Sequence, residues 1–277
     1  MRKHYWAIFA LILFAFATYK VVARVTADGS HRGLSRLAAY SFDEACAMEK
    51  AERPELGGQP QVETDQTMTL LDRAAAIERT AARFDGTLNG LRIWFDACAL
   101  YGLALQSAPS DAARVARDGA RTSGISACER IIRDYPDAKF IPGVYAEAAR
   151  IYGCGGKLSK ADVQKALLYA EKAITLDPQG TKSSNYCALM LLEAGWLAQL
   201  GSEAEAISVC KALEKSDDAS TVIKAKLFRA EVYVALKKQF DAQAYLEKLV
   251  QENPKDSEIA KRASKRLEEI KAYRVQD

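Results

Sequence analysis

The segment Leu227-Phe-Arg-Ala-Glu-Val-Tyr233, followed after a turn by Ala242-Gln-Ala-Tyr-Leu-Glu-Lys-Leu-Val-Gln-Glu-Asn-Pro254, has a plan that recurs upstream. One helix carries a small residue and, three positions later, an aromatic or leucine. A turn follows, and a second helix opens on alanine. Tyr145-Ala-Glu-Ala-Ala-Arg-Ile-Tyr152 with Ala166-Leu-Leu-Tyr-Ala-Glu-Lys-Ala-Ile-Thr-Leu-Asp-Pro178 repeats this plan. So does Ala194-Gly-Trp-Leu197 with the turn Gly201-Ser-Glu and Ala206-Ile-Ser-Val-Cys-Lys-Ala-Leu213. The second-helix alanines 166, 206 and 242 stand 40 and 36 residues apart. Self-similarity at such a period points to helical hairpins that bury their apolar faces only by stacking on one another. Small residues where paired helices cross let the backbones approach closely.

The pattern resembles the tetratricopeptide repeat (TPR) family, which places a small residue in each helix, an aromatic in the first, two bulky groups in the second and a closing proline. In the last unit these are Ala230, Tyr233, Ala242, Leu246, Leu249 and Pro254. The first unit matches with Ala149, Tyr152, Ala166, Ala173 and Pro178, and its longer turn, Gly153-Cys-Gly-Gly-Lys157, is similar to that of a Sel1-type repeat. Cys98, Tyr101, Cys128, Ile131 and Pro136 outline a degenerate earlier unit, whereas residues 34–86 carry no such resemblance.

Elsewhere apolar residues recur at helical spacing between Pro and Gly, and no stretch alternates as a strand does. Leu34, Leu37, Ala38, Ser41, Phe42 and Ala45 form one stripe of a helix ending before Pro54; Glu55–Glu63 reads as a loop. Leu70, Ala74, Ile77, Ala81 and Phe84 mark a second helix, stopped at Asp85-Gly86. Leu88 to Leu105 is a third, ended by Pro109; Ser110 caps a fourth, with a break at Ser123-Gly124 and an end at Tyr135-Pro136. Past Pro254, Ile259, Ala260, Ala263, Leu267 and Ile270 face inward while Lys261, Arg262, Lys265, Arg266, Glu268 and Glu269 face out, as a terminal cap requires. The expected architecture is all-α, an α-solenoid of TPR-like hairpins with an N-terminal hydrophobic helix. It comprises a signal or anchor (1–25), an N-terminal helical region (26–87), degenerate TPR-like helices (88–140), three TPR-like repeats (141–256) and a capping helix (257–277).

Composition narrows the chemistry. Only His4 and His31 are histidines, both in or just after the N-terminal apolar segment, so the body offers no imidazole for Ser-His-Asp or Cys-His catalysis or for an HExxH zinc site. The formal charge is +3, but residues 1–36 hold six cations and one acid, which leaves the rest slightly negative. A nucleic-acid partner is therefore not expected, since phosphate contacts call for a clustered basic face. With 49% hydrophobic and 27% charged residues, the chain suits an ordered globule. Gly153–Lys157 fails as a phosphate loop: Ile151 stands where the first glycine belongs and Leu158 where the hydroxyl belongs. Asp43-Glu44 and Asp217-Asp218 read as solvated or capping acids, and Trp94-Phe95 as packing rather than a ligand platform. The six cysteines include no CxxC; they read either as buried thiols or as one or more disulfides. No catalytic residue, metal ligand or cofactor site is expected.

Met1-Arg-Lys-His4 precedes fifteen uncharged residues, Tyr5 to Tyr19. As a helix this run spans about 22 Å, short of a roughly 30 Å hydrocarbon core. Besides a buried helix, two main readings stay open: a cleaved signal peptide with Ala15-Phe-Ala17 at the cleavage site, or an anchor lengthened by Val21, Val22, Ala23 and Val25 with Lys20 and Arg24 snorkelling outward. Both place the body outside the cytoplasm, in a periplasm or on an inner membrane facing it.

The TPR resemblance implies that the first helix of each pair lines a concave groove for a protein or peptide partner. Carried over residue by residue, the groove positions include Arg92 and Phe95 in the degenerate unit and Ala146, Arg150, Leu191, Gln199, Lys224, Leu227 and Glu231 in the clear ones. The Lys, Asn and Arg that some TPR proteins use to grip a peptide carboxylate are not matched: the positions read Phe95/Ala99, Ala146/Arg150, Leu191/Gly195 and Leu227/Glu231. The resulting expectation is a non-enzymatic scaffold for cell-envelope assembly or quality control. The alternatives are a carboxylate-dependent enzyme acting on polysaccharide and a purely structural homo-oligomer.

Overall fold

The computed structural model describes residues 34–53, 69–108, 110–154, 158–177, 184–255 and 257–273. The N-terminal apolar segment, the loop expected over 55–63 and residues 155–157 of the glycine-rich stretch lie outside them. The described chain is helical: α1 Phe42–Glu52, α2 Leu70–Arg83, α3 Leu88–Ser107, α4 Asp111–Asp134, α5 Ile141–Tyr152, α6 Lys160–Leu176, α7 Ser184–Gln199, α8 Glu203–Leu213, α9 Ala219–Ala235, α10 Gln239–Glu252 and α11 Glu258–Tyr273. Among the described residues there is no strand, and no helix is long and apolar enough to cross a membrane. Two compact units divide the chain: Met1–Ala104 with Pro109–Val144, and Tyr145–Asp277 with Leu105–Ala108.

In the first unit, the stripe that begins at Leu34 does not continue as one helix. Leu34 and Leu37 are buried, but the chain turns at 36–40, where Lys139 N–H donates to Ala38 C=O at 2.8 Å. α1 then starts at Ser41, whose backbone N–H and hydroxyl donate to the Glu44 carboxylate at 2.9 and 2.8 Å. These bonds hold the Glu44 carboxyl below its ordinary range and close a capping box that restarts the helix. α2, α3 and α4 keep their expected limits, with Thr69 and Ser110 accepting at the N-caps of α2 and α4. The break expected at Ser123-Gly124 is absent, because α4 runs unbroken past a buried Gly124. Its neighbours Ala120, Ala127 and Cys128 are fully buried, and their packing outweighs a glycine penalty of about 1 kcal/mol.

A buried carboxylate ties α1 to the start of α3. Glu49, 6% exposed, accepts from Leu88 N–H (3.2 Å), Asn89 N–H (2.9 Å) and Asn89 Nδ2 (2.7 Å). It thereby satisfies amides at the α3 N-terminus that have no acceptor within the helix.

In the second unit each of α6 to α10 packs on its successor; in addition α7 packs on α9, and α9 on α11. The seams are lined by small residues. Ala149 faces Ala166, Ala170 and Ala173; Ala194 faces Ala206 and Cys210; Ala230 faces Ala242, Leu246 and Leu249. All of them are buried. The six cysteines form no disulfide: five are buried and Cys154 is half-buried. Burial, assisted by the Glu214 charge, pushes the Cys210 thiol up to about 11.

The turns of two hairpins share one backbone device. Gly201 and Lys237, each seven residues past the seam alanine (Ala194, Ala230), take φ +79° and +60°. A side chain in this left-handed region costs on the order of 1 kcal/mol, which Gly201 avoids and Lys237 incurs. Lys237→Gly should therefore stabilise the chain by about 0.5–1 kcal/mol and Gly201→Ala should destabilise it by a similar amount, both read from urea midpoints.

Ile259, Ala260, Ala263 and Ile270 of α11 are buried as the cap reading requires, with Leu267 partly buried against them. Arg266 departs from its expected outward place. Its guanidinium reaches back to Glu231 of α9, with Nε to Oε1 at 2.6 Å and Nη2 to Oε2 at 2.8 Å, and Nη1 holds Glu269 at 2.8 Å. The planar fork of arginine makes this two-point grip available on a helix face that looks merely solvated in sequence.

Candidate partner-binding surface

Of the nine groove positions carried over from the TPR pattern, Arg92 and Phe95 lie in the first unit and the other seven in the second. The charged ones are mostly engaged within the fold. The Arg92 guanidinium pairs with Asp43 of α1 and sits 5.1 Å from the centre of the Phe42 ring. Arg150 Nη1 donates to Glu147 Oε1 at 2.8 Å, where Glu147 is only 2% exposed. Glu231 is held by Arg266. Gln199 and Lys224 are exposed, at the end of α7 and early in α9. Phe95, Ala146, Leu191 and Leu227 are half-buried, and the last three pack on the seams of the second unit.

That distribution has a physical source. On the first helix of a hairpin these positions border the seam, so an apolar side chain there is shared between core and surface. A charged one finds a counter-charge close by, Arg150 within its own helix and Arg92 and Glu231 on another helix. Of these nine positions the half-buried uncharged ones are apolar, and Gln199 and Lys224 are the exposed polar ones. Trp94, 4% exposed, is part of the packing, as its spacing suggests.

Two further clusters were not legible as groups. Tyr169 of α6 lies between Tyr145 and Tyr152 of α5, with ring centroids at 5.8 and 5.5 Å. Lys172 stands 5.4 Å from Tyr145 and 5.9 Å from Tyr169, and Lys165 stands 5.3 Å from Tyr152. The i, i+7 spacing of the α5 tyrosines was the available signal; the ring that joins them comes from the next helix. On α10, Tyr245 carries Arg229 at 4.7 Å over its ring, near Glu214.

Burial and the nearby Glu171 charge raise the Glu193 carboxyl on α7 above its ordinary range. The folded state thus binds that proton more tightly than the unfolded chain, and ionised Glu193 opposes folding. The penalty is complete above the raised value and vanishes below the ordinary carboxylate range. Glu193→Gln is expected to raise the unfolding midpoint at neutral pH, with no gain at acid pH. A pH series of urea melts on both proteins checks this.

Among the described residues no group of His, Cys, Asp and Glu is placed to hold a metal ion. Comparison with protein-family models, with curated proteins and with solved structures finds no match to this chain.

Proposed function

We propose that the chain is a TPR-like α-solenoid scaffold, carried to the cell envelope by its N-terminal apolar segment, that binds a protein partner on the first helices of its hairpins. The observation that carries this reading is the packing of α7 on α9 and of α9 on α11. Alternate helices that touch across their intervening partners form a continuous face, and in repeat proteins of this kind such a face is the binding surface. Support also comes from the equivalent places of Ala194 and Ala230, Gly201 and Lys237, and Ala206 and Ala242 in successive hairpins. Half-buried Leu191 and Leu227 beside exposed Gln199 and Lys224 suit an apolar partner segment with polar flanks. The basic start and fifteen-residue apolar run of residues 1–19 support an exported or anchored location.

Site-specific photo-crosslinking of the full chain in cells tests the partner surface. A crosslinker at Gln199 or Lys224 should trap a discrete protein adduct, and one at exposed Lys211 on α8 should not. Equal labelling from all three positions, or none from the first two, would remove the groove as the binding site. Fractionation with N-terminal sequencing of the mature protein tests the address.

A further inference from the structure

We propose that the outer face of α6 is a second docking surface, separate from the face of α7, α9 and α11, and that its occupant is an acidic amphipathic helix of a partner protein. The inner side of α6 is already covered, since Val163, Ala166, Ala170 and Ala173 are buried in the seam with α5 and α7. On the opposite side Ala161, Lys165, Leu168, Lys172 and Thr175 are all exposed and recur in steps of four, three, four and three. That is the spacing by which one helix seats its side chains along another. Leu168 is 49% exposed, and Leu176, beside the end of the row, is 51% exposed. Two open leucines on one row, rather than scattered singly, mark a surface that another chain covers.

The lysines define what that helix must bring. The tyrosine rings beneath hold both ammonium groups in place, Lys172 over Tyr145 and Tyr169 and Lys165 over Tyr152. Neither ammonium makes an ion pair among the described residues. The acids within α6 are occupied elsewhere: Asp162 accepts from the Ser159 hydroxyl at 2.7 Å at the N-cap, and Glu171 lies close enough to Glu193 of α7 to act on its charge. Lys165 and Lys172 are two turns apart, about 10 Å along the axis, and carboxylates with the same spacing on a partner helix meet both. The arrangement also speaks against two other occupants. Around the helix axis both lysines fall between Leu168 and Leu176, so a membrane that took up the leucines would bury the ammonium groups deepest. A second copy of the chain would set one lysine row against another.

A photo-crosslinker at Leu168 of the full chain in cells tests the surface, with the contact segment of the adduct read by mass spectrometry. The expected result is a protein adduct whose contact segment carries at least two Asp or Glu residues at helical spacing beside apolar ones. Lys165→Glu combined with Lys172→Glu should cut the adduct about tenfold, because two surface attractions become two repulsions. Lys165→Gln with Lys172→Gln should cut it about threefold, and arginine at both positions should retain it. Both lysines are exposed, so urea midpoints should match that of the parent, and the glutamine pair keeps the test decisive if the reversal lowers them. The proposal is overturned if Leu168 gives no adduct, or if the adduct is a lipid or a second copy of the chain. It is equally overturned if the contact segment lacks acidic residues, or if neither the glutamate nor the glutamine pair lowers the yield. Crosslinking at Gln199 and Lys224 reports on the other face independently.

Discussion

Replacing Glu49 with alanine is expected to lower the unfolding free energy by about 3 kcal/mol. The change leaves the N–H groups of Leu88 and Asn89 without their acceptor, and removes one of the two acceptors of the Asn89 amide. A buried donor left unmade costs about 1–3 kcal/mol, and the favourable meeting of a carboxylate with the α3 N-terminus is lost as well. Glu49→Gln keeps an acceptor in place and should cost about half as much. Urea unfolding gives the magnitude. Hydrogen exchange should locate the loss in α1 and the first turn of α3, with the second unit protected as before. An Ala variant within 0.5 kcal/mol of the parent, roughly the scatter of surface substitutions, would contradict the anchoring role.

The second large effect concerns Trp196 and Gly153. The indole of Trp196, 3% exposed, lies against Gly153 and donates Nε1–H to its carbonyl at 3.2 Å. A Cβ on Gly153 would fall 2.1 Å from the ring, far inside van der Waals contact. Gly153→Ala should therefore cost about 2 kcal/mol through overpacking, and Trp196→Ala about 4 kcal/mol through the cavity it leaves. The two changes should not add. Without the indole the new methyl has room, so the double variant is expected to lie about 1–2 kcal/mol below the sum. Denaturant midpoints of the four proteins complete the cycle, and strict additivity would mean that the ring does not depend on the glycine.

That pair also shows how far the sequence could be read. Gly153 was legible as part of a turn between helices, because glycine ends helices and loosens turns. The reason it must be glycine is an indole forty-three residues later, and no local pattern carries that. The periodicity of α11 puts Arg266 among solvated residues, yet it grips Glu231 of α9. Ser41 falls inside a stripe because its neighbours keep the helical period. Its own side chain and Glu44 instead restarted the helix, a signal present in the Ser-x-x-Glu spacing but outweighed by periodicity.

By itself the sequence determined the helical character, most helix limits, the small residues at the seams, the repeat period in the second unit and the apolar N-terminal run. Each of these follows from interactions within about one helical turn or from a spacing that recurs along the chain. The tertiary structure decided which charges are engaged, which glycines are sterically required, and that Ser123-Gly124 stays helical. These depend on groups brought together from distant parts of the chain, where burial makes a hydrogen bond or a close contact worth several times what it is at the surface.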